Sequence, residues 1–283
     1  MTYSDFEFFE TEVESLVNKV LDSVKDKCFS DYVLLLARGG YQVELERSTL
    51  SPYVVLSRQD TYLDRTREKF LVNYLNAYST ILKEDIQLEN DYKEYDLNIQ
   101  MMIYAQIWES HQFLKTLIRI GGILTGKPYN WRIQFEELKN GRMRPVHKGK
   151  IIKEQIIEPL DTGCPEFAKF IKNNYDGNLR NDFAHSSYYI SIKDNAIVSM
   201  DSERYSVKKK TDLFDWEHLF INSALLSFYL LHIINERRNS FKKDYPNVGF
   251  IEIEWPSYKE PGKRIPKRLI PMEYEWGIGF LFE

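Results

Sequence analysis

Residues 216–238 read WEHLFINSALLSFYLLHIINERR and contain the longest apolar run of the chain. Apolar residues sustained over this length predict one long helix, which either Asp212 or Asp215 is placed to cap. The apolar centre, residues 219–234, is shorter than the ~20 residues that a membrane span needs, and it contains polar side chains. We therefore expect a buried core helix that makes the fold mainly α and that does not cross a membrane.

Further helices are predicted on the N-terminal side of this segment. The sequence Ser4-Asp5-Phe6-Glu7 has the capping-box pattern, which predicts a helix that begins there and ends near Lys27. Apolar spacing and helix-ending residues predict helices over residues 61–83, 92–123, 151–157 and 165–174. Asp176-Gly177 interrupts the pattern, and one more helix begins after it.

Three short regions have the composition of strands. The apolar run from Tyr32 to Ala37 ends at Gly39-Gly40 and predicts a strand followed by a turn. Residues 43–56 predict another strand, which Pro52 weakens towards its end. Residues 188–192 and 196–200 predict a small β-hairpin with Asp194 and Asn195 in its turn.

Residues 244–283 differ in composition from the rest, because they hold half of the ten prolines together with interleaved aromatic residues. These aromatic residues can pack, so the composition is not that of a disordered tail. We expect an irregular C-terminal extension that packs on the helices. The predicted organisation is an N-terminal helix with short strands over residues 1–56, a helical bundle over residues 57–243, and this extension.

A six-residue motif carries the chemistry that bears most directly on function. Residues 180–185 are Arg-Asn-Asp-Phe-Ala-His, so a permanent, forked cation and an imidazole lie five positions apart. Arginine suits a phosphate oxygen, and histidine takes and gives protons near neutral pH. Together they are the minimal set for cutting RNA without a metal, with the ribose 2′-OH as nucleophile.

The motif Arg180-Asn181-x-x-x-His185, preceded by Leu179 and late in a mainly helical chain, resembles the signature of HEPN domains. Members of that family are compact helical bundles, usually homodimers, and many are metal-independent endoribonucleases of toxin–antitoxin, abortive-infection and CRISPR-linked defence systems. The resemblance implies that Arg180 holds the scissile phosphate, that His185 is the general acid or base, and that Asn181 orients the histidine or the phosphate.

The same resemblance implies a HEPN-like four-helix bundle with a small β-hairpin between its last two helices. Its helices are expected over residues 57–87, 91–124, 164–185 and 213–240. The short strands near the N-terminus and the C-terminal extension lie outside this bundle.

Helix geometry restricts how the motif residues meet. Asn181 and His185 lie four positions apart and share a helix face, so the amide can orient the imidazole. Arg180 and His185 are separated by about 140° around a helix, so one straight helix does not bring them together. Either the arginine side chain curls round, or the pair meets its symmetry mate across a dimer interface. The structural alternative is that Arg180 pairs with a carboxylate and that His185 binds a backbone carbonyl at the helix end.

Three basic stretches are candidates for contacts with RNA phosphates, although a solvated surface explains most such runs. They are residues 142–153, the triplet Lys208, Lys209 and Lys210, and residues 263–268. The lysine triplet is the strongest candidate, because it follows the hairpin that follows the motif. Tyr188 and Tyr189 lie just past the histidine, where one of them either stacks on a base or donates a hydrogen bond to a phosphate, or where both pack within the hairpin.

Composition and motifs argue against several other classes. The formal net charge of −4 and the pI of about 5.9 do not suit a protein that binds nucleic acid through net charge. The two cysteines make no disulfide framework and the N-terminus lacks a signal-peptide pattern, so we expect a cytoplasmic protein. No His, Cys, Asp and Glu set has metal-ligand spacing, and we expect no metal and no cofactor.

One stretch approaches a phosphate-binding P-loop without completing it. Gly121-x-x-x-x-Gly126-Lys127 has the correct spacing, but Pro128 stands where the P-loop needs serine or threonine. The residues before it are helical in pattern, whereas a P-loop follows a strand. We interpret the glycines as the end of a helix.

Two functions remain. The first is a metal-independent endoribonuclease that works as a homodimer in bacterial defence or in a toxin–antitoxin pair, with RNA as substrate and an antitoxin or regulatory protein as a further partner. The second is a non-catalytic HEPN-like module that binds RNA, a nucleotide or a protein.

Overall fold

The long apolar segment forms α10, Leu213–Asn239, the central helix of the fold. The structure, a computed structural model, describes residues 1–47, 51–55, 62–87, 89–139, 142–201, 206–260, 262–274 and 277–283. Of the two predicted caps, Asp212 is the one used, and its carboxylate accepts a hydrogen bond from the Phe214 N–H at 2.8 Å. Among the described helices, α10 alone has the length and apolar composition of a membrane span, but 61% of that apolar window is buried inside the fold.

The remaining helices confirm a mainly α architecture. They are α1 Tyr3–Lys27, α2 Phe29–Leu36, α3 Tyr62–Lys83, α4 Asn90–Glu109, α5 His111–Leu124, α6 Lys148–Lys150, α7 Glu158–Gly163, α8 Pro165–Asn174, α9 Gly177–Ala184 and α11 Phe241–Asp244. A π-helical turn, Ile151–Ile157, joins α6 to α7. Helices α1, α3, α4 and α8 contact α10 directly, and α9 lies against α4. The motif helix also reaches the central one, because the Phe183 ring of α9 lies edge-on to the Trp216 ring of α10 at 5.1 Å.

One hydrophobic core runs through these elements, except for α6, which contributes no buried residue to it. Its largest fully buried side chains include Trp108 of α4, Trp216 of α10 and Trp255 near the C-terminus. The same core reaches from Phe6 in α1 to Phe280 near the end of the chain. Large aromatic side chains dominate the burial energy of such a core. The N-terminal helix and the C-terminal residues are thus packed together with the central helices.

Two predictions near the N-terminus were wrong. The run from Tyr32 to Ala37 is not a strand, because α2 covers it up to Leu36 and every residue of the run is buried. A short run that is apolar on all sides fits a buried helix as well as a strand, and periodicity does not separate the two. The second wrong prediction is the capping box at Ser4-Asp5-Phe6-Glu7, because the box that forms uses Thr2 and Asp5. The Thr2 hydroxyl accepts a hydrogen bond from the Asp5 N–H, and the Asp5 carboxylate accepts one from the Thr2 N–H.

Two predicted helices of the bundle are each divided. Ser110 separates α4 from α5, and its hydroxyl caps α5 by accepting a hydrogen bond from the Phe113 N–H at 3.4 Å. The segment 164–185 is likewise two helices, since α8 ends at Asn174 and α9 begins at Gly177. The first break places Glu109 at the C-terminal end of α4, next to the motif helix. At this position the Glu109 carboxylate can pair with Arg180 of the motif helix.

All strand pairs in the described structure are antiparallel. The strands before α10 are β1 Gly39–Tyr41, β2 Tyr53–Val55, β3 Glu136–Lys139, β4 Arg142–Pro145, β5 Tyr188–Ser191, β6 Ala196–Asp201 and β7 Ser206–Asp212. β1 pairs with β2, β3 with β4, and β6 lies between β5 and β7. The predicted hairpin is therefore confirmed as β5–β6, but the third strand β7 was not predicted. The predicted turn at Gly39-Gly40 is instead part of β1. In the strand predicted over residues 43–56, residues 43–47 form a 3₁₀ turn and residues 53–55 form the strand β2.

The C-terminal extension is not irregular, and this prediction was wrong. Strands β8 Ile251–Pro256, β9 Arg264–Tyr274 and β10 Gly277–Phe282 form a sheet in the order β10-β9-β8. Proline normally argues against a central strand because it cannot donate a hydrogen bond. Here Pro266 lies where β9 pairs only with β8, and Pro271 lies where β9 pairs only with β10. Each proline therefore occupies a part of β9 that has one free edge.

Candidate functional site

The motif helix α9 is set in place by Asp176 at its N-terminus. The Asp176 carboxylate accepts hydrogen bonds from the backbone N–H groups of Asn178 and Leu179, both at 2.9 Å, and it forms an ion pair with Lys209 at 2.7 Å. The Asp176 N–H in turn donates to the Tyr104 hydroxyl of α4 at 2.8 Å. Although burial pushes the pKa of Asp176 upward, these hydrogen bonds lower it overall. The cap is therefore an ionised carboxylate at the positive end of a helix.

Arg180 lies against the end of α4 and is 9% exposed. Its Nη1 forms an ion pair with Glu109 Oε1 at 2.9 Å. Its Nε is buried and has no hydrogen-bond partner among the described residues. Most of this guanidinium has been removed from water while only part of its donor capacity is satisfied, which is costly for a charged group.

A second cation shares the same carboxylate. Lys148, at the start of α6, has a side chain that is 14% exposed, and its Nζ lies 3.6 Å from Glu109 Oε2. This distance gives an ion pair but not a hydrogen bond, and the ammonium also lies 4.9 Å from the centre of the Phe135 ring. Desolvation lowers the pKa of Lys148, against the attraction of Glu109. Two largely buried cations thus depend on one carboxylate.

Tyr175, between α8 and α9, lies beside these groups. Its hydroxyl is buried and unpaired within the described structure, and burial raises its pKa while the nearby Arg180 cation opposes the rise. A side chain on Gly177 would come within 2.9 Å of this hydroxyl, so the start of α9 has no room for one. The hydroxyl, Arg180 Nε and Lys148 Nζ are three buried polar groups that make no hydrogen bond to the residues that the structure describes. We call Glu109, Lys148, Tyr175 and Arg180 the guanidinium cluster.

His185 has a different environment, because it is the exposed residue that ends α9. Its backbone N–H donates to the Asn181 carbonyl at 3.0 Å. Its imidazole makes no hydrogen bond to any residue that the structure describes, and neither does the Asn181 amide, so the predicted orientation of the imidazole by this amide is not present. Within one chain, the structure does not bring His185 and Arg180 into contact. The reason is the predicted separation around the helix, which turns Arg180 towards α4 and leaves His185 in solvent.

The predicted RNA-contacting residues are already engaged within the protein. Lys208 lies 3.1 Å from Asp182, Lys209 2.7 Å from Asp176 and Lys210 3.9 Å from Asp194. These lysines lie on β7, and the first two attach this strand to α9. Only the Lys210–Asp194 pair is exposed on both sides and contributes at most ~1 kcal/mol, whereas Asp182 and Asp176 are largely buried and would be left without their lysines if a phosphate displaced them. Lys210 is therefore the lysine most available to a phosphate, and Lys208 and Lys209 are held by their aspartates.

Tyr188 is a packing residue in this structure. Its hydroxyl donates to Asn98 Oδ1 of α4 at 2.9 Å, and its ring lies edge-on against Phe183 at 5.1 Å. Of the two interpretations of Tyr188 offered by the sequence, hairpin packing agrees with these contacts. The neighbouring Tyr189 is 47% exposed and is the tyrosine of this pair that is free to stack.

Sequence reasoning missed Glu109 and Tyr175, and it placed Lys148 only within a long basic stretch. These residues come from the end of α4, from α6 and from the α8–α9 connection, which the chain brings together only on folding. For Lys148 alone, the sequence offered a signal of a possible functional role: it follows several other cations in a segment without clear helix or strand periodicity. No three His, Cys, Asp or Glu side chains in the described ranges are grouped as ligands for a metal ion.

Comparisons with known proteins identified no relative of this chain. No protein-family model matches the chain, no curated protein matches it, and no solved structure matches it. Function must therefore be argued from the site itself.

Proposed function

We propose that this protein is a metal-independent endoribonuclease with a HEPN-like bundle made of α3, α4 with α5, α8 with α9, and α10. The observation that carries the proposal is the motif helix, on which an exposed imidazole that hydrogen-bonds to no described residue follows a buried guanidinium whose Nε likewise has no partner among the described residues. Support for the bundle comes from the contacts of α3, α4 and α8 with α10 and of α9 with α4. The substrate is RNA, because the mechanism uses the ribose 2′-OH.

The proposed cleavage reaction needs no metal ion. An imidazole takes the proton of the 2′-OH, the 2′ oxygen bonds to phosphorus, and the bond from phosphorus to the 5′ oxygen breaks. The leaving oxygen receives a proton from an acid, which leaves a 2′,3′-cyclic phosphate and a 5′-OH. His185 is the acid or base, and Arg180 neutralises the charge that develops on the phosphate. Lys148 supplies a second positive charge close to Arg180.

A complete site requires two copies of the chain. Because Arg180 and His185 face different sides of α9, one copy presents its imidazole without its guanidinium. A homodimer with the C-terminal ends of two α9 helices at a common cleft supplies two imidazoles, one as base and one as acid. Entry of a phosphate requires Arg180 to turn from Glu109 or to use its free Nε. In this arrangement Glu109 restrains the enzyme, in addition to any antitoxin or regulatory protein.

The test is cleavage of mixed tRNA and rRNA in EDTA by the wild type and by His185→Ala. The expected result is cleavage by the wild type alone, with new 5′ ends that polynucleotide kinase labels directly because they carry a hydroxyl. His232→Ala is the matched control, since His232 is a half-exposed histidine on α10 that pairs with Glu236. Circular dichroism and size-exclusion chromatography check that fold and dimer persist. Equal cleavage by wild type and His185→Ala would rule out the assigned role.

A specific observation favours the second function, an RNA-binding or protein-binding module that does not cut. Arg180 is ion-paired with Glu109, and all three lysines of the triplet have aspartate partners, so none of these four cations needs a bound ligand to balance its charge. RNA binding without cleavage under all conditions, unchanged by His185→Ala, would indicate this module. Toxicity on expression that Arg180→Ala relieves would indicate the nuclease.

A further inference from the structure

A second cationic region lies away from the motif, in a cavity of about 520 Å³. The C-terminal end of α5, the segment that follows it, the π-helical turn and the β8–β9 connection form its walls. No residue of the guanidinium cluster and no residue of the motif lines it. The volume is within the range of cavities that hold small organic ligands.

The lining is strongly biased in charge. It includes five cations, Arg119, Lys127, Arg132, Lys263 and Arg264, and one carboxylate, that of Glu154. Two of these cations are paired elsewhere, since Arg132 lies 3.3 Å from a Glu46 oxygen and Lys263 lies 2.9 Å from a Glu260 oxygen. The other three have no ion pair with any residue in the described ranges. An excess of unpaired cations in a cavity selects an anionic ligand.

Arg119 is the most informative of these cations, because it is only 6% exposed. Its Nε donates to the Asn130 carbonyl at 3.1 Å, and its guanidinium lies 5.0 Å from the centre of the Tyr129 ring. These contacts fix the plane of the guanidinium, and its remaining donors have no protein acceptor among the described residues. A fixed, planar fork of this kind suits the oxygens of a phosphate.

Most of the remaining lining is apolar or aromatic, with Asn130, Gln155 and Ser257 as the polar exceptions. Tyr53, Trp131, Pro128, Pro159 and Pro256 all contribute to it. Gly122 of α5 also lines the cavity, and a side chain built on it would meet no atom within 4 Å. The helix leaves this space open although a glycine inside a helix is less stable than an alanine by ~0.5–1 kcal/mol. The combination suits a ligand with both phosphate groups and a flat or compact organic part.

We propose that this cavity binds a small organic di- or triphosphate, held by Arg119, Lys127 and Arg264. The site is not a P-loop: α5 ends at Leu124, so it presents carbonyl groups and not the N–H groups that bind phosphate at the start of a helix. Binding therefore depends on side-chain cations and falls as salt is raised. The proposal is independent of the nuclease.

The test is calorimetric titration of the full chain with two ring-bearing phosphates, ADP and ATP, and with fructose 1,6-bisphosphate. Adenosine is included as a phosphate-free probe. Saturable binding of a phosphorylated probe, with none of adenosine, is expected. Tighter binding of the nucleotides identifies a nucleotide site, whereas tighter binding of the sugar bisphosphate identifies a phosphosugar site.

Three variants connect the binding to this cavity. Gly122→Leu fills the open space and should abolish binding, with Gly249→Leu as a control at a position of equally open space outside the cavity. Lys127→Glu and Arg264→Glu should each weaken binding by ~10-fold or more, whereas Lys172→Glu on the exposed side of α8 should not. Absence of binding by every phosphorylated probe, or unchanged binding by Gly122→Leu and both charge reversals, would overturn the proposal.

Discussion

The guanidinium cluster and the α5 cavity both concentrate positive charge, but they differ in how that charge is satisfied. In the cluster, Arg180 and Lys148 share the Glu109 carboxylate. In the cavity, the Arg119 guanidinium makes one hydrogen bond to a carbonyl and no ion pair among the described residues. The first arrangement can be assessed by what it contributes to stability. The second has no carboxylate partner in the described structure, so its charge is assessed mainly by what it binds.

The comparison separates two roles that the sequence alone does not distinguish. A cation with an internal carboxylate contributes to folding, and its removal leaves a partner unpaired. A cation that faces a cavity without such a partner contributes little to folding and is available for a ligand. Stability measurements on matched variants therefore test which role each residue has.

The largest effect is expected for Glu109→Ala. This change leaves Arg180 and Lys148 without their shared carboxylate in a largely buried position. We expect a loss of about 2–4 kcal/mol in the free energy of unfolding. This is slightly less than for a fully buried ion pair, because the Glu109 side chain is 44% exposed. Urea unfolding followed by circular dichroism measures this loss.

Glu137→Ala is the matched control for that experiment. Glu137 also lies 3.6 Å from a lysine, Lys150, but both side chains are about half exposed. Its removal should change stability by less than ~0.5 kcal/mol. Equal effects of the two glutamate variants would show that burial of the guanidinium cluster has no energetic consequence. Under the proposed nuclease function, Glu109→Gln should also tighten RNA binding, because it frees Arg180.

The second effect concerns the start of α9. Asp176→Ala removes two hydrogen bonds to the helix N-terminus and the ion pair with Lys209. We expect a loss of about 1–2 kcal/mol in the free energy of unfolding, the usual value for a helix cap. Asp194→Ala removes an exposed aspartate whose lysine partner is 3.9 Å away, and it should have a clearly smaller effect. If both aspartate variants lose the same stability, the cap does not hold α9 in place.

Much of the fold was predictable because several sequence signals are local. The apolar length of α10, the break at Asp176-Gly177 and the turn of the β5–β6 hairpin were each identified from neighbouring residues. The errors occurred where a local signal has two meanings. The apolar run in α2 fits a helix or a strand, and the prolines of β9 are tolerated because each faces a free edge of the sheet. Strand pairing of this kind is a property of the whole chain.

The site was predictable only in part, for the same reason. Arg180 and His185 could be found because the motif is contiguous, and the angle between them predicted that one straight helix would not by itself bring them together, although a curled arginine side chain was left open. Glu109 and Lys148 could not be found, because their proximity to Arg180 depends on where α4 ends and where α6 begins. In the cavity, Arg119 and Lys127 are close in sequence, but Arg264 joins them only on folding, and none of the three has an ion pair among the described residues. Charge counting along the chain does not reveal which cations have partners.

A third prediction uses pH to isolate the charge on Asp176. Hydrogen bonding lowers the pKa of Asp176 in the folded protein, so its ionised form stabilises the fold above its ordinary pKa of 3.8. That contribution is lost as pH falls through the lower folded pKa. Asp176→Asn keeps a helix cap but removes the charge, which should cost about 0.3–1 kcal/mol at neutral pH. Chemical unfolding of both proteins at pH 7 and near pH 3 should show this difference shrinking in acid; a difference that stays constant would contradict the charge-based account.

The smallest effect on stability, and the clearest contrast with Glu109, is expected for Lys127→Ala. Lys127 is exposed, lines the cavity and has no ion pair within the described structure. Its removal should change the free energy of unfolding by no more than ~0.5 kcal/mol, as for other surface positions without a specific contact. A larger loss of stability would show that Lys127 contributes to folding. The distinction between paired cations in the guanidinium cluster and ligand-binding cations in the cavity would then be wrong for Lys127. A neutral effect on unfolding together with weaker binding of an organic phosphate would place the positive charge of the cavity in ligand recognition.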